Sequence, residues 1–429
     1  MGRASRDEFE PDVGPDAAVR GLTRRHCDLW WQTPCAAPVL GPEVTRREQR
    51  ENVRESERLL DELASAVESC PPAEAERVPW RRALEARVRR FGAERLGWPD
   101  GYQSLLFADE FLESTRAFVR EARAFAPAVR VEDVAQALRN VWIANSLQLL
   151  LDCPVRLTAS LFAYSMLYPW TDNYLDDPRV PEPAKAAFNR ALVRRLAGER
   201  PAPAGRREAE VFELVARIES EHPRATRPQV YASLLAIQGA QVASLAQQRD
   251  AAPYEVDLLA LSVEKGGTSL LADAWLVGGS LEPGEAEFAF GYGVFLQLLD
   301  DLQDVQEDCA AGHMTLFSQA AGRWPLDGLA SRLHGFIRRV VDESPRFAAA
   351  RHEAPRDLIR RNCTLLLVGA VAENAELFSR PFVAGLERRW PVDFAALRGL
   401  RRTAARRYAR TADRLRRQHG VSGLLELVA

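Results

Sequence analysis

Apolar residues recur at three- and four-residue spacings along most of the chain, which predicts one helix after another. A polar helix is expected from Glu43 to about Val67, ended by Pro71-Pro72. Further helices are expected near 75–92, 109–126, 131–152, 155–177, 183–198, 206–221, 227–249, 255–278, 284–308, 327–343, 354–377 and 392–418. No run alternating Val, Ile or Thr with polar residues stands between hairpin turns, so strands are not expected, and no long repeat suggests a solenoid. The pattern therefore predicts an all-α fold with one large helical domain over 45–429. Residues 1–44, rich in Pro, Gly and charge, are expected to form an irregular arm anchored by Trp30 and Trp31.

Two of these helices end oddly. The apolar face Phe288, Tyr292, Phe295, Leu296, Leu299 and Leu302 runs without a turn signal into Asp300, Asp301, Asp304, Glu307 and Asp308. Asp300, Asp304 and Asp308 recur every four residues and so share a face, where exposed like charges cost about 0.2–0.5 kcal/mol per pair. The second run, Asp172-Asn173-Tyr174-Leu175-Asp176-Asp177, closes the apolar stretch that begins near Val155. Asp172 and Asp176 again stand four apart. One reading is a solvated acidic helix end; the other is a cation among oxygen ligands, which points to Mg2+ completed by water and a phosphate. The run at 172–177 lacks the Gly and Glu of a calcium-binding helix–loop–helix. Two acidic helix ends facing each other would form the mouth of a pocket floored by the apolar residues before them. Pro169 is expected to bend one helix and Gly266-Gly267 to break another, turning Lys265 inward.

These stretches resemble the class I isoprenoid synthases, which comprise trans-prenyl diphosphate synthases and class I terpene synthases. Asp172 to Asp177 is similar to the first aspartate-rich motif, with Asn173 where Asp is usual. Gly293-Val-Phe-Leu-Gln297-Leu-Leu-Asp300-Asp301-Leu-Gln-Asp304 is similar to the second, and Lys265-Gly266-Gly267-Thr268 to the Lys-Thr segment between them. The resemblance spans residues 130–320. It implies a deep apolar pocket inside a helical bundle, with Asp172, Asp176, Asp177, Asp300, Asp301, Asp304 and Asp308 around two or three Mg2+ ions, or Mn2+. It also implies a prenyl diphosphate held by Lys265, Gln297 and Arg179, with Arg407-Tyr408 resembling the terpene synthase Arg-Tyr pair. Asp172, Asp176, Asp300 and Lys265 are the implied catalytic residues.

Phe162, Ser165, Leu167, Tyr168, Thr268 and Phe295 are the expected pocket residues, with Tyr168 one turn below Asp172. Tyr164, Trp170 and Trp275 could also face a carbocation, although core packing is the commoner role for each aromatic. The basic groups that bind isopentenyl diphosphate in prenyl synthases are incomplete here: Arg139-Asn140 lacks the lysine, Arg179 stands alone, and Arg194-Arg195 come late. A terpene synthase is therefore the first expectation, a trans-prenyl diphosphate synthase the second, and a noncatalytic subunit of this fold the third.

Composition changes this picture little. A net charge of −3 gives no bulk reason for nucleic-acid binding, and no apolar run is long enough to span a membrane. Lys185 and Lys265 are the only lysines in an Arg-rich chain, a usage expected of a GC-rich bacterial genome, which makes Lys265 more informative. Six cysteines without CxxC spacing are expected to be reduced and buried in a cytoplasmic protein. A homodimer is the expected assembly.

Overall fold

A computed structural model of the protein describes residues 15–71, 73–175, 177, 179–248 and 255–419. It is all-helical, with no strand among the described residues. The first helix, α1 (Pro15–Gln32), corrects the expectation of an irregular arm. Leu22, His26 and Trp30 recur every four residues along it and are buried, His26 against Phe290 and Trp30 against Phe336. Trp30 is thus the expected anchor, whereas Trp31 is 59% exposed. Residues 1–14 lie outside the described residues.

A polar pair follows, α2 (Arg46–Glu68) and α3 (Glu74–Leu96), with the short α4 (Asp100–Leu106) after it. Thr45 and Glu48 cap α2 reciprocally, which satisfies two orphan donors of its first turn. Gln49 and Asn52 on α2 donate to the carbonyls of Glu387, Trp390 and Pro391, tying this pair to the C-terminal region.

The body has two apolar clusters. One is built on α5 (Asp109–Phe125), α6 (Val131–Leu150), α7 (Ala159–Leu175), α8 (Glu182–Leu196), α9 (Arg206–Glu221) and α10 (Pro228–Ser244). The other is centred on α11 (Leu258–Gly278) and α12 (Pro283–Gln303), with α13 (Val305–Ala311), α14 (Leu316–Ala320), α15 (Asp327–Asp342), α16 (Glu353–Glu373) and α17 (Arg380–Glu387) around them. The partly buried Trp275 on α11 packs against both clusters.

The helix α11 is continuous through Gly266-Gly267, so the expected break does not occur. The glycines act sideways instead. A Cβ on Gly293 would lie 2.1 Å from the Gly266 carbonyl oxygen, and one on Gly267 would lie 2.2 Å from the Phe290 ring. Only hydrogen fits at this crossing, which brings the backbones of α11 and α12 together and so fixes Lys265 relative to Gln297. The helix α7 contains Pro169, the residue expected to bend it, within its span. The long helix expected over 284–308 is divided at Asp304, which caps α12 and precedes α13. The bonds from Asp304 N–H to the Asp300 carbonyl (2.9 Å) and from Asp308 N–H to the Asp304 carbonyl (2.8 Å) preserve the four-residue register across that division.

No helix among the described residues is long and apolar enough to cross a membrane. None of the six cysteines is in a disulfide, and the expected burial holds for Cys363 but fails for Cys35 and Cys309, which are exposed.

Candidate functional site

Six helices, α6, α7, α8, α10, α11 and α12, enclose a cavity of about 80 Å³ where the two apolar clusters adjoin. Asp172, Lys265 and Gln297, taken from three separate sequence stretches, all line it. Its apolar side is Leu167, Leu192, Leu196, Leu234 and Ile237. Nine of its fourteen lining residues are polar, and the five aliphatic side chains form its apolar wall.

Asp172 is buried at 8% exposure, with Oδ2 accepting from Gln241 Nε2 (2.6 Å) and Oδ1 from Thr171 Oγ1 (3.1 Å). Gln241 lies about 70 residues further on and has no motif to mark it; its role is visible only in three dimensions. Asn173 turns the other way, toward Asp133 and Gln136 on α6. Asp176 lies outside the described residues, as do the side chains of Tyr168 and Tyr408.

The four aspartates of the second run divide by environment. Asp301 is buried, and both its oxygens are engaged, Oδ1 by Gln297 Nε2 and Oδ2 by Ser262 Oγ, each at 2.9 Å. It therefore braces α12 against α11 and orients Gln297. Burial pushes its carboxyl up to about 6, against the pull of those two hydrogen bonds. Asp300 and Asp304 are exposed to solvent at the helix end. The protein mass around Asp304, followed by the charges of Asp300, Glu307 and Asp308, pushes it up to about 6. Asp300 is raised by the protein mass packed around the helix end, drawn down by Lys265 and Arg139, and raised a little further by Asp308. Asp308 meets His313 at 3.2 Å and raises that imidazole, a contact the motif does not indicate.

Arg139 is exposed on α6, close enough to act on both Asp300 and Asp304. Among the described residues, no three His, Cys, Asp or Glu side chains stand together as a complete metal site. The donor set of Asp300, Asp304 and Asp308 nevertheless suits a hard cation: oxygen ligands in excess negative charge, with Asp300 and Asp304 exposed to water.

Other expected residues lie elsewhere. Arg179 is 88% exposed and paired with Asp177 at 2.8 Å, and that pairing holds the Asp177 carboxyl down to about 2. Neither residue is among those lining the cavity. Arg407, on α18 (Phe394–His419), is paired with Asp61 of α2 and so belongs to the polar helix pair. Thr268 is buried and donates to the carbonyls of Glu264 and Lys265 within its own helix. Phe295 is a fully buried member of the core around α12. Phe162 packs on Phe118 and Phe125 beneath the Arg217 guanidinium. Of the expected pocket residues, Leu167 lines the cavity directly, and Ser165 stands one step behind it, bonded to the lining residue Asn140 at 3.1 Å. Among the aromatics, Tyr164 is the one that lines it; its hydroxyl donates to the Ser269 carbonyl (2.9 Å), and burial raises its pKa.

Asp273 carries no motif signal. It is fully buried on α11, accepts at Oδ1 from Asn140 Nδ2 (3.0 Å), and is pushed by burial up to about 8. Comparison of the chain with models of known protein families finds no match, and comparison with curated proteins finds none either.

Proposed function

We propose that the protein ionises a linear prenyl diphosphate in a metal-dependent reaction, releasing diphosphate and a terpene formed by cyclisation or elimination. The observation that carries this reading is the convergence of Asp172, Lys265 and Gln297 on one cavity, each from a different stretch of the isoprenoid synthase resemblance.

Asp300 and Asp304, with Asp308 beside them, would hold Mg2+. When bound, the ion neutralises charge developing on the departing diphosphate. Lys265 contributes a compact cation with three donors to the same leaving group. Gln241 and Thr171 hold the Asp172 carboxylate in place, and Asp301 does the same for the Gln297 amide. Leu167, Leu192, Leu196, Leu234 and Ile237 keep water from the allylic cation. The Tyr164 ring is placed to stabilise positive charge, an interaction worth about 0.5–2 kcal/mol.

Chain elongation is the second reading, and the ion pairs weigh against it. A second diphosphate needs a second basic site, but Arg179 is bound to Asp177, Arg194 to Glu199 and the buried Arg195 to Glu219. Arg139 is a further basic group near the acidic end, and it favours elongation only if it binds that second anion. Incubation with Mg2+ and geranyl, farnesyl or geranylgeranyl diphosphate, with and without isopentenyl diphosphate, tests the proposal. Hydrocarbon or alcohol products without isopentenyl diphosphate are expected. Longer diphosphates formed only in its presence would transfer the assignment to a prenyl synthase, and no turnover with any substrate would sink both.

A further inference from the structure

Asp273 is an anomaly within α11. It lies two turns beyond Lys265, fully buried, and its Oδ2 has no hydrogen-bond partner among the described residues. A buried polar atom left in that state is costly, and nothing in the diphosphate chemistry uses it. Its other oxygen, Oδ1, accepts from Asn140 Nδ2 at 3.0 Å. The same Asn140 nitrogen donates to Ser165 Oγ at 3.1 Å, and Ser165 is itself fully buried.

An asparagine side chain has two N–H donors and one carbonyl acceptor. Asp273 and Ser165 take both donors of Asn140. Since Asn140 lines the cavity, the group it has left to offer there is its carbonyl oxygen Oδ1. The neighbouring Tyr164 hydroxyl commits its hydrogen to the Ser269 carbonyl, so it too is left with acceptor capacity. This part of the wall therefore presents acceptors. It carries no formal charge from Asn140, Ser165 or Tyr164, and burial keeps Asp273 largely protonated near neutral pH. The complement to such a wall is a neutral hydrogen-bond donor.

We propose that Asn140, locked by Asp273 and Ser165, is a hydroxyl-binding site in the cavity wall. It takes an O–H donor that comes either from an ordered water or from an apolar ligand bearing an alcohol. Asn140 is the binding residue, and Asp273 and Ser165 are positioning residues that determine which end of its amide faces the cavity. The site needs neither a metal nor a diphosphate, so it stands or falls apart from the function proposed above.

The test is a set of crystal structures of the full chain soaked with 1-hexanol or with n-heptane, for the wild type, Asp273→Asn and Asp273→Leu. An oxygen within hydrogen-bond distance of Asn140 Oδ1 is expected in the wild type. Its presence in both soaks identifies water; its presence with hexanol alone identifies the ligand hydroxyl. Asp273→Asn keeps an acceptor for the Asn140 amide and should retain that oxygen, whereas Asp273→Leu removes the acceptor and should lose or displace it. Where the oxygen is the ligand's, hexanol affinity relative to heptane should fall about 3–10-fold in Asp273→Leu. Ser165→Ala frees the other amide hydrogen with little change in volume and should give a loss of the same kind, which keeps the test decisive should Asp273→Leu fail to fold. No oxygen at Asn140 in the wild type, or an unchanged one in the folded Asp273→Leu or Ser165→Ala protein, overturns the proposal.

Discussion

Carboxyl groups at the exposed end of α12 and inside the cavity wall are both raised in pKa, but for reasons that separate on inspection. At the helix end, burial and neighbouring carboxylates act together on Asp304, and Arg139 opposes them. Within the wall, Asp273 meets burial alone, offset by one Asn140 hydrogen bond. The first arrangement is relieved by adding a cation, because its cause includes unneutralised charge in reach of water. The second is relieved by keeping a proton or gaining a hydrogen-bond partner. Asp172 and Asp301 lie between these extremes, buried but with both oxygens bonded. Carboxylates legible in sequence as one acidic class thus divide into exposed, braced and isolated groups.

The sharpest way to break this comparison is to remove one carboxylate from the exposed end and one from the braced group. Asp300→Ala and Asp172→Ala should each lower turnover of a prenyl diphosphate by about 10²-fold or more, the scale seen when electrostatic stabilisation of a transition state is lost. EDTA should abolish turnover and added Mg2+ restore it; activity untouched by EDTA would remove the metal from the proposal. The circular dichroism of Asp300→Ala should be unchanged, because that carboxyl is exposed and braces nothing.

Lys265→Ala should reduce turnover and weaken inorganic diphosphate binding together. Unchanged diphosphate affinity, measured by calorimetry, would remove this residue from leaving-group recognition. In the framework that holds Lys265, Gly293→Ala places a methyl group 2.1 Å from the Gly266 carbonyl oxygen. It should destabilise the protein by about 1–3 kcal/mol or more through overpacking, read as a fall in urea midpoint. A midpoint equal to wild type would mean that α11 and α12 separate at little cost.

A further expected effect is on the pH dependence of stability. A carboxyl raised to about 8 in the folded chain stabilises it fully below its ordinary unfolded range, and loses that contribution as pH rises through about 8. Asp273→Asn keeps a neutral group there at every pH. The melting temperature of the variant relative to wild type should therefore increase between about pH 5 and pH 8.5, where the native carboxyl must ionise or hold its proton at growing cost. A constant difference across that window would show that Asp273 is not held in its protonated form.

Helical periodicity, two acidic helix ends and the scarcity of lysine were all legible in the chain, and they suffice for an all-α fold and for singling out Asp172, Lys265 and the 300–308 run. The buried period of Leu22, His26 and Trp30 is present in the chain as well, but the surrounding Pro, Gly and charge conceal it. Tertiary structure alone decided the rest. Residues one turn apart share a helix face, but spacing does not say which neighbour that face meets. Phe162 and Phe295 therefore pack in core while Leu167 lines the cavity, Asp301 turns to Ser262 while Asp300 stays in solvent, and Arg407 reaches Asp61. Gly266-Gly267 looks like a helix break in one dimension and acts, with Gly293, as a close crossing in three. Asp273 shows the limit most plainly: an aspartate in an apolar helix carries no local signal of its partner, because Asn140, itself bonded to Ser165, reaches it from another helix only once the chain has packed.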